Sequence, residues 1–170
     1  MLRGTLLALA TLAGGCSLVL DFSESAIPKD AGIDAPFSQE ECDYKEPNDS
    51  AETAAVLVPG DVGPAAICST GGTDDHDFYR VTVPANTASV TFRITFVNRP
   101  TGDLDLRLLD KTGGTVLARS TGFGNFEEIT CPGASPVCAA LAPDDYVFEV
   151  FPALTGSVNR YDIALTITPM

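Results

Sequence analysis

The sequence predicts an all-β protein, an antiparallel sandwich or barrel, on two observations. The segment SVTFRITFV (89–97) alternates strictly, so its four apolar side chains from Val90 to Phe96 share one face and polar side chains share the other. Turn-forming residues separate this segment from five others of similar pattern. The further predicted strands cover residues 77–83, 103–110, 115–120, 145–151 and 160–168. Because hardly any helical period lies between them, the pattern disfavours a βαβ sheet.

The N-terminus has the features of an export signal. Arg3 precedes an apolar run from Thr5 to Ala13, far shorter than the ~20 residues of a membrane-spanning helix. Small residues then lead to Cys16, which resembles the lipidation site of bacterial lipoproteins. The resemblance implies a signal peptide over residues 1–15 and a diacylated Cys16 as the mature N-terminus. The alternative is an ordinary secretory signal cut near Gly15.

Domain organisation follows from composition. Residues 16–40 carry two prolines, scattered acids and no sustained period, which predicts a lipidated, flexible tether. Residues 41–170 are predicted to form one β-sandwich domain, long enough for a hydrophobic core. At its start, the segment SAETAAVLV (50–58) predicts a turn or two of helix capped by Ser50.

The cysteines favour an exported, disulfide-bonded domain. Removing the lipidated cysteine from the five leaves an even number: Cys42, Cys68, Cys131 and Cys138. Four cysteines allow three pairings. We favour Cys42 with Cys68 and Cys131 with Cys138, because CPGASPVC is a short loop stiffened by two prolines. A zinc site is the alternative, but the sequence has no CxxC pair and one histidine.

The formal charge of −13 limits the classes of partner. Nucleic acid and anionic lipid headgroups are both recognised by basic patches, so neither is an expected ligand. An acidic chain remains soluble and attracts divalent cations. The membrane is therefore expected as a partner only through the lipid anchor.

Five motifs in order resemble the bacterial pre-peptidase C-terminal domain. They are EPNDSAETA, TDDHDFYRVTVP, GDLDLRLLDKTGGTVLARS, APDDYVFEVFP and SVNRYDIALTI. The resemblance covers about residues 44 to 168. It implies an antiparallel β-sandwich of jelly-roll type, a domain usually attached to secreted peptidases or found in surface proteins, and no enzymatic activity of its own.

The same resemblance bears on the acidic segment KEPNDS (45–50). In the collagen-binding modules of bacterial collagenases, which are relatives, calcium lies between such a segment and a D-x-x-D pair. The implied calcium ligands here are Glu46, Asn48, Asp49, Asp74 and Asp77. Tyr44 stands where those relatives carry another glutamate. Calcium takes six to eight oxygens, which suits this set. The alternative is a capped turn followed by solvated loop acids.

Other acidic groups and the histidine do not indicate catalysis. Asp103 and Asp105 share one face of a predicted strand and are expected to point outward, opposite buried leucines. His76 lies among acids and is expected to be an exposed loop residue, since no serine or cysteine occupies a nucleophile elbow such as GxSxG. The chain is therefore not expected to be an enzyme.

The predicted function is a lipid-anchored extracytoplasmic binding or accessory module that recognises a protein or polysaccharide, with calcium as the expected stabilising ion. Phe151 is the outward-facing aromatic candidate for a recognition surface, because Tyr146 and Phe148 alternate onto the other face. The alternative is a structural envelope lipoprotein with no macromolecular ligand. The expected location is the cell envelope. Ser17 follows the lipidated cysteine in place of the aspartate that resembles an inner-membrane retention signal, so in a Gram-negative cell the outer membrane is expected, with the domain facing the periplasm or the surface.

Overall fold

The structure is a computed structural model that describes residues 42, 44–61, 63–69 and 73–170. The predicted signal peptide (1–15), the lipidated Cys16 and the tether (16–40) lie outside the described residues. Within the described part of the chain, no helix is long and apolar enough to cross a membrane.

Eleven strands run through the described residues. In chain order they are β1 (Ala55–Val56), β2 (Pro64–Cys68), β3 (Asp77–Val83), β4 (Thr87–Phe96), β5 (Leu104–Leu109), β6 (Val116–Ser120), β7 (Phe126–Cys131), β8 (Gly133–Ala134), β9 (Val137–Cys138), β10 (Asp144–Pro152) and β11 (Val158–Pro169). The six strands predicted from alternation are all present as β3, β4, β5, β6, β10 and β11. Their ends differ from the predicted bounds by at most two residues, which is normal for strand ends.

The strands form a sandwich of two sheets. One sheet has five strands in the order β1-β3-β10-β5-β6, and the other has four in the order β2-β11-β4-β7. A small hairpin of β8 and β9 completes the arrangement. All pairings are antiparallel except that of β1 with β3. The predicted antiparallel sandwich is confirmed.

The core lies between the two sheets and follows the predicted alternation. Along β4, Val90, Phe92 and Ile94 are buried, while the residues between them are partly exposed. The Phe92 ring stacks on Phe148 from β10 with 4.5 Å between ring centroids. Because these two strands belong to different sheets, this contact joins the two layers of the sandwich.

The predicted helix over residues 50–58 is wrong. Ser50 and Thr53 instead close a turn, in which the Thr53 amide donates to the Ser50 carbonyl at 3.1 Å. The chain then pairs with β3 as β1, and Leu57 is buried in the core. Pairing at the sheet edge and burial of one leucine outweigh a weak local helical preference.

Both predicted disulfides are confirmed. Cys42 bonds to Cys68, with Cα atoms 5.9 Å apart, and so ties the start of the described domain to the end of β2. Cys131 bonds to Cys138 across the β8–β9 hairpin, with Cα atoms 5.0 Å apart. The first bridge fixes the segment that leads into KEPNDS (45–50).

We predict that Phe148→Ala lowers the free energy of unfolding by about 3–5 kcal/mol, because it empties the contact between the sheets. Phe123→Ala is the matched control, since Phe123 is 92% exposed and Phe148 is fully buried. For Phe123→Ala the expected change in the free energy of unfolding is within ~0.5 kcal/mol. Urea unfolding measures both, and equal losses in the two variants would contradict this assignment of the core.

Candidate cation site

Three carboxylates converge where β3 begins. Oxygen atoms of Glu46, Asp75 and Asp77 all lie within 4.8 Å of one another. Glu46 comes from the segment before β1, whereas Asp77 is the first residue of β3 and Asp75 precedes it by two positions. The Phe78 amide donates to the Asn48 carbonyl oxygen at 2.9 Å, which holds the Glu46 segment against the strand. Two parts of the chain distant in sequence therefore contribute one oxygen cluster.

Asn48 lies at the centre of this cluster and is fully buried. Its side-chain NH₂ group donates to a Glu46 carboxylate oxygen at 3.0 Å and to Asp77 Oδ1 at 3.1 Å. This orientation suits carboxylates without a cation. Rotation of the amide by 180° would turn its oxygen to the same position, where it would suit a bound cation.

Asp77 is the most deeply placed of the acids. Burial raises its pKa well above the ordinary value, and the neighbouring carboxylates of Asp75, Glu46 and Asp49 raise it further. A hydrogen bond donated by the Tyr161 hydroxyl to Asp77 Oδ2 opposes this rise. Ionisation of Asp77 is therefore disfavoured in the cluster on its own.

Asp75 connects the cluster to the first disulfide. Its Oδ2 accepts a hydrogen bond from the backbone amide of Cys68, and its own amide donates to Ser69 Oγ at 3.1 Å. Burial raises the pKa of this carboxyl, which the Cys68 amide partly offsets, while the Asp49 carboxylate raises it further. Asp75 is thus oriented by the backbone beside the Cys42–Cys68 bridge.

Four of the five predicted calcium ligands lie in or beside this cluster. Glu46 and Asp77 belong to it, Asn48 contacts both, and Asp49 is exposed but close enough to affect the pKa values of the acids. Asp74 is placed differently, because its Oδ1 accepts a hydrogen bond from the Gly156 amide at 2.7 Å.

Sequence reasoning missed Asp75, which takes the place next to Asp77. The signal was available, because residues two apart at the start of a strand share a face. Asp75 and Asp77 share one face, whereas Asp74 and His76 point to other partners. Tyr44, where a further ligand is missing, packs on the core with its ring against Gly63, where a Cβ would come within 2.7 Å.

His76 belongs to a separate charged cluster on the outer face of the five-stranded sheet and is not the free loop residue that the sequence predicted. Its Nδ1 lies 2.7 Å from Glu149 Oε1. Arg107 donates from its guanidinium to both carboxylate oxygens of Glu149, which is fully buried. Burial alone raises the pKa of Glu149, but the hydrogen bonds from His76 and Arg107 outweigh it and lower the pKa below its usual value.

Phe151, the predicted outward aromatic, is half-buried over this cluster. Its ring centroid lies 6.1 Å from that of His76 and 5.0 Å from the Arg107 guanidinium carbon. Tyr79, Phe148 and Tyr161 are buried in the core. The aromatic side chain that faced outward in the prediction therefore covers an ion pair and does not lie on an open surface.

Asp105 is the outward strand residue that the sequence predicted, between buried Leu104 and Leu106, whereas Asp103 departs from that prediction. Asp103 is buried and precedes β5, and Asp105 is half-buried within it. Both line a pocket formed by the loops at this end of the sandwich.

Comparison with known proteins places the fold. Residues 75–152 match the family model of the bacterial pre-peptidase C-terminal domain. Among solved structures, the chain is similar to the pre-peptidase C-terminal domain of a collagenase from Bacillus anthracis, with a TM-score of 0.50 and 12% sequence identity. The match covers 66% of this chain and 94% of that domain. No curated protein matches the sequence. At this identity the structural likeness establishes the fold alone.

We predict that Glu149→Gln lowers the free energy of unfolding by about 3 kcal/mol at pH 7, because it breaks a buried ion pair. The pKa of Glu149 is lowered in the folded state. Its stabilising contribution is therefore present above the ordinary carboxyl pKa of about 4.3 and is lost as pH falls through the folded value. The difference in the free energy of unfolding between the unmodified protein and Glu149→Gln should shrink below about pH 4.

The control is Glu128→Gln, because Glu128 pairs with Arg93 at 3.4 Å on a partly exposed surface. Such a pair contributes at most about 1 kcal/mol. Denaturant unfolding of both variants from pH 3 to 7 checks the prediction. A Glu149→Gln effect that is small or independent of pH would show that the ion pair does not stabilise the fold.

Proposed function

Because residues 75–152 match the family model of the bacterial pre-peptidase C-terminal domain, we propose that the chain is a non-catalytic, lipid-anchored binding or accessory module that works outside the cytoplasm and is stabilised by calcium. The family match and the β-sandwich support an accessory domain. The oxygen cluster of Glu46, Asp75 and Asp77 is the single observation that carries the calcium proposal.

The residues of the cluster fit a calcium ion by their chemistry. Carboxylates and an amide oxygen are hard ligands of the kind that calcium prefers. Without a cation, burial and mutual repulsion act against ionised Asp77. A divalent ion relieves both costs, since it neutralises charge and binds the oxygens. We propose Glu46, Asp75 and Asp77 as ligands, with Asn48 Oδ1 joining them and the exposed Asp49 at the rim.

Calcium at this position would join two parts of the domain. Glu46 and Asn48 belong to the segment that leads from the proposed tether, and Asp77 opens β3. The ion would act beside the Cys42–Cys68 disulfide, which holds the same segment to β2. Binding would therefore stabilise the segment through which the chain enters the sandwich. A force applied through the lipid anchor would act on the domain at this segment.

Placement outside the cytoplasm is supported by the cysteines. All four cysteines of residues 42–170 form disulfides, which persist in oxidising compartments. Together with the apolar run before Cys16, this supports export and lipidation at that residue. We place the protein in the cell envelope, anchored in the outer membrane.

The lack of catalytic activity is supported by how the reactive side chains are used. His76, the single histidine, contacts the buried Glu149. The cysteines of the described domain are in disulfides, so they supply no thiolate nucleophile. The proposed role is recognition of a protein or polysaccharide.

We predict that calcium binds the purified protein with a Kd of ~10⁻⁴ M, the range of extracellular calcium modules. A hundredfold excess over Kd stabilises the fold by about 2.7 kcal/mol, which corresponds to a melting temperature about 10 °C higher. Asp77→Asn should abolish this rise. In chelator, the same variant should melt at a higher temperature than the unmodified protein, because one repelling charge is gone.

Two matched variants distinguish the site from general acidity. Asp75→Asn is expected to abolish calcium binding, whereas Asp74→Asn, one residue away, is expected to retain it. Calorimetric titration and thermal unfolding measure both. Loss of binding in Asp74→Asn alone would favour the ligand set predicted from the sequence. Absence of saturable binding at millimolar calcium would exclude the calcium proposal.

A further inference from the structure

A second acidic site lies in a pocket at the same end of the sandwich. The pocket has a volume of about 590 Å³. The loops that follow β4, β6 and β10 and the start of β5 form its wall. Its polar side chains include Asp103 and Asp105, and its apolar ones include Phe123 and Leu154. It shares no residue with the carboxylate cluster at β3.

Asp103 is the residue that points to a ligand. Its exposed fraction is 8%, and it lies in the pocket wall. Its Oδ1 atom is buried and has no hydrogen-bond partner among the described residues. A buried carboxylate oxygen without a donor is costly, and native folds rarely leave one unless a ligand or ion completes it. The pocket wall therefore presents an unfilled acceptor.

The surroundings of Asp103 are negatively charged. Asp105 lies two residues further along β5, and burial together with the charges of Asp103 and Glu127 raises its pKa to about 6. Glu127 has partners of its own, because Ser120 Oγ and the Gly122 amide both donate to it. Arg99, the basic residue in the lining, is itself engaged in an interaction. The two aspartates are left as the acceptors for a ligand.

Two apolar side chains of the lining suit an aliphatic or planar group. Phe123 is 92% exposed and Leu154 is 57% exposed, and both line the pocket. An exposed phenyl ring attracts a cation held over its face and also covers the methylene stem of a long basic side chain. Carboxylates and an aromatic ring in one pocket are the two elements that recognise arginine or lysine.

We propose that this pocket binds an arginine or lysine side chain of a protein partner. The inference rests on the proposed recognition function. Of the two proposed classes of partner, it favours a protein over a polysaccharide. A basic side chain donates to the aspartate carboxylates of the pocket wall and relieves repulsion between them. A neutral sugar supplies hydroxyl donors but leaves the charge uncompensated. The net charge of −13 also favours a basic partner.

The test uses the tripeptide acetyl-Gly-Arg-Gly-amide and its citrulline counterpart, which has the same shape but no charge. Both are titrated into the full-length, ¹⁵N-labelled protein, and amide shifts of Gly122, Phe123 and Leu154 report binding. The arginine peptide is expected to bind about tenfold more tightly than the citrulline peptide, as for one charge-assisted hydrogen bond. Its affinity should fall between pH 7 and pH 5, because protonation removes the charge of Asp105.

Asp105→Asn is expected to weaken arginine-peptide binding about tenfold. Asp145→Asn is the control, because it removes the same charge outside the pocket. Asp145 lies at the start of β10, whereas the loop that lines the pocket follows the end of that strand. Equal binding of both peptides, an equal loss in both variants, or no shifts at the three amides would overturn the inference. Saturable binding of chitotriose with no arginine-peptide binding would overturn it too, and assign the pocket to a polysaccharide.

The outcome also separates this inference from the proposed function. If calcium raises the melting temperature but the arginine peptide leaves the pocket amides unchanged, the arginine site is excluded and the calcium-stabilised module stands. If the peptide binds while calcium has no effect, the calcium part of the proposed function fails and the pocket stands.

Discussion

The concentration of negative charge where β3 begins is the constraint on which this end of the molecule depends. Asp77 is buried against Tyr161, and Glu46 and Asp75 face it within a few ångströms. Like charges at that distance repel, so the segment before β1 stays in place only because other forces hold it. The Cys42–Cys68 disulfide and the Phe78–Asn48 hydrogen bond supply two of those forces. A cation is the third that we propose.

The topology brings the two acidic sites to the same end of one sheet. β10 runs antiparallel to both β3 and β5, so its end lies beside the start of each neighbour. The loop after β10 contacts the residue next to the cation site and the start of the pocket. Gly156 donates to Asp74 from a backbone with φ of 78°, a conformation that favours glycine, and the Ala153 amide donates to the Asp103 carbonyl at 3.0 Å. One loop therefore reaches from the neighbour of Asp75 to the pocket.

Much of the fold could be predicted from local pattern, and the site only in part. Alternation identified six strands, because buried antiparallel strands show it directly. β7 was missed, since Phe126 is exposed and the acidic Glu127 occupies the first inward position. The family resemblance implied Asp74 as the second aspartate of the pair, whereas the structure brings the Asp75 carboxylate into the cluster with Asp77. The burial of Asp103 depends on loops from three other parts of the chain, which no local pattern shows.

The most direct test of the central claim is a crystal structure of the protein grown with calcium, with anomalous scattering data. If calcium binds here, an anomalous peak is expected within reach of Glu46, Asp75 and Asp77, with the Asn48 amide oxygen turned toward it. Absence of a peak, with the Asn48 NH₂ group donating to the carboxylates at millimolar calcium, would contradict it. The acidic segment would then be a hydrogen-bonded turn held by the disulfide alone.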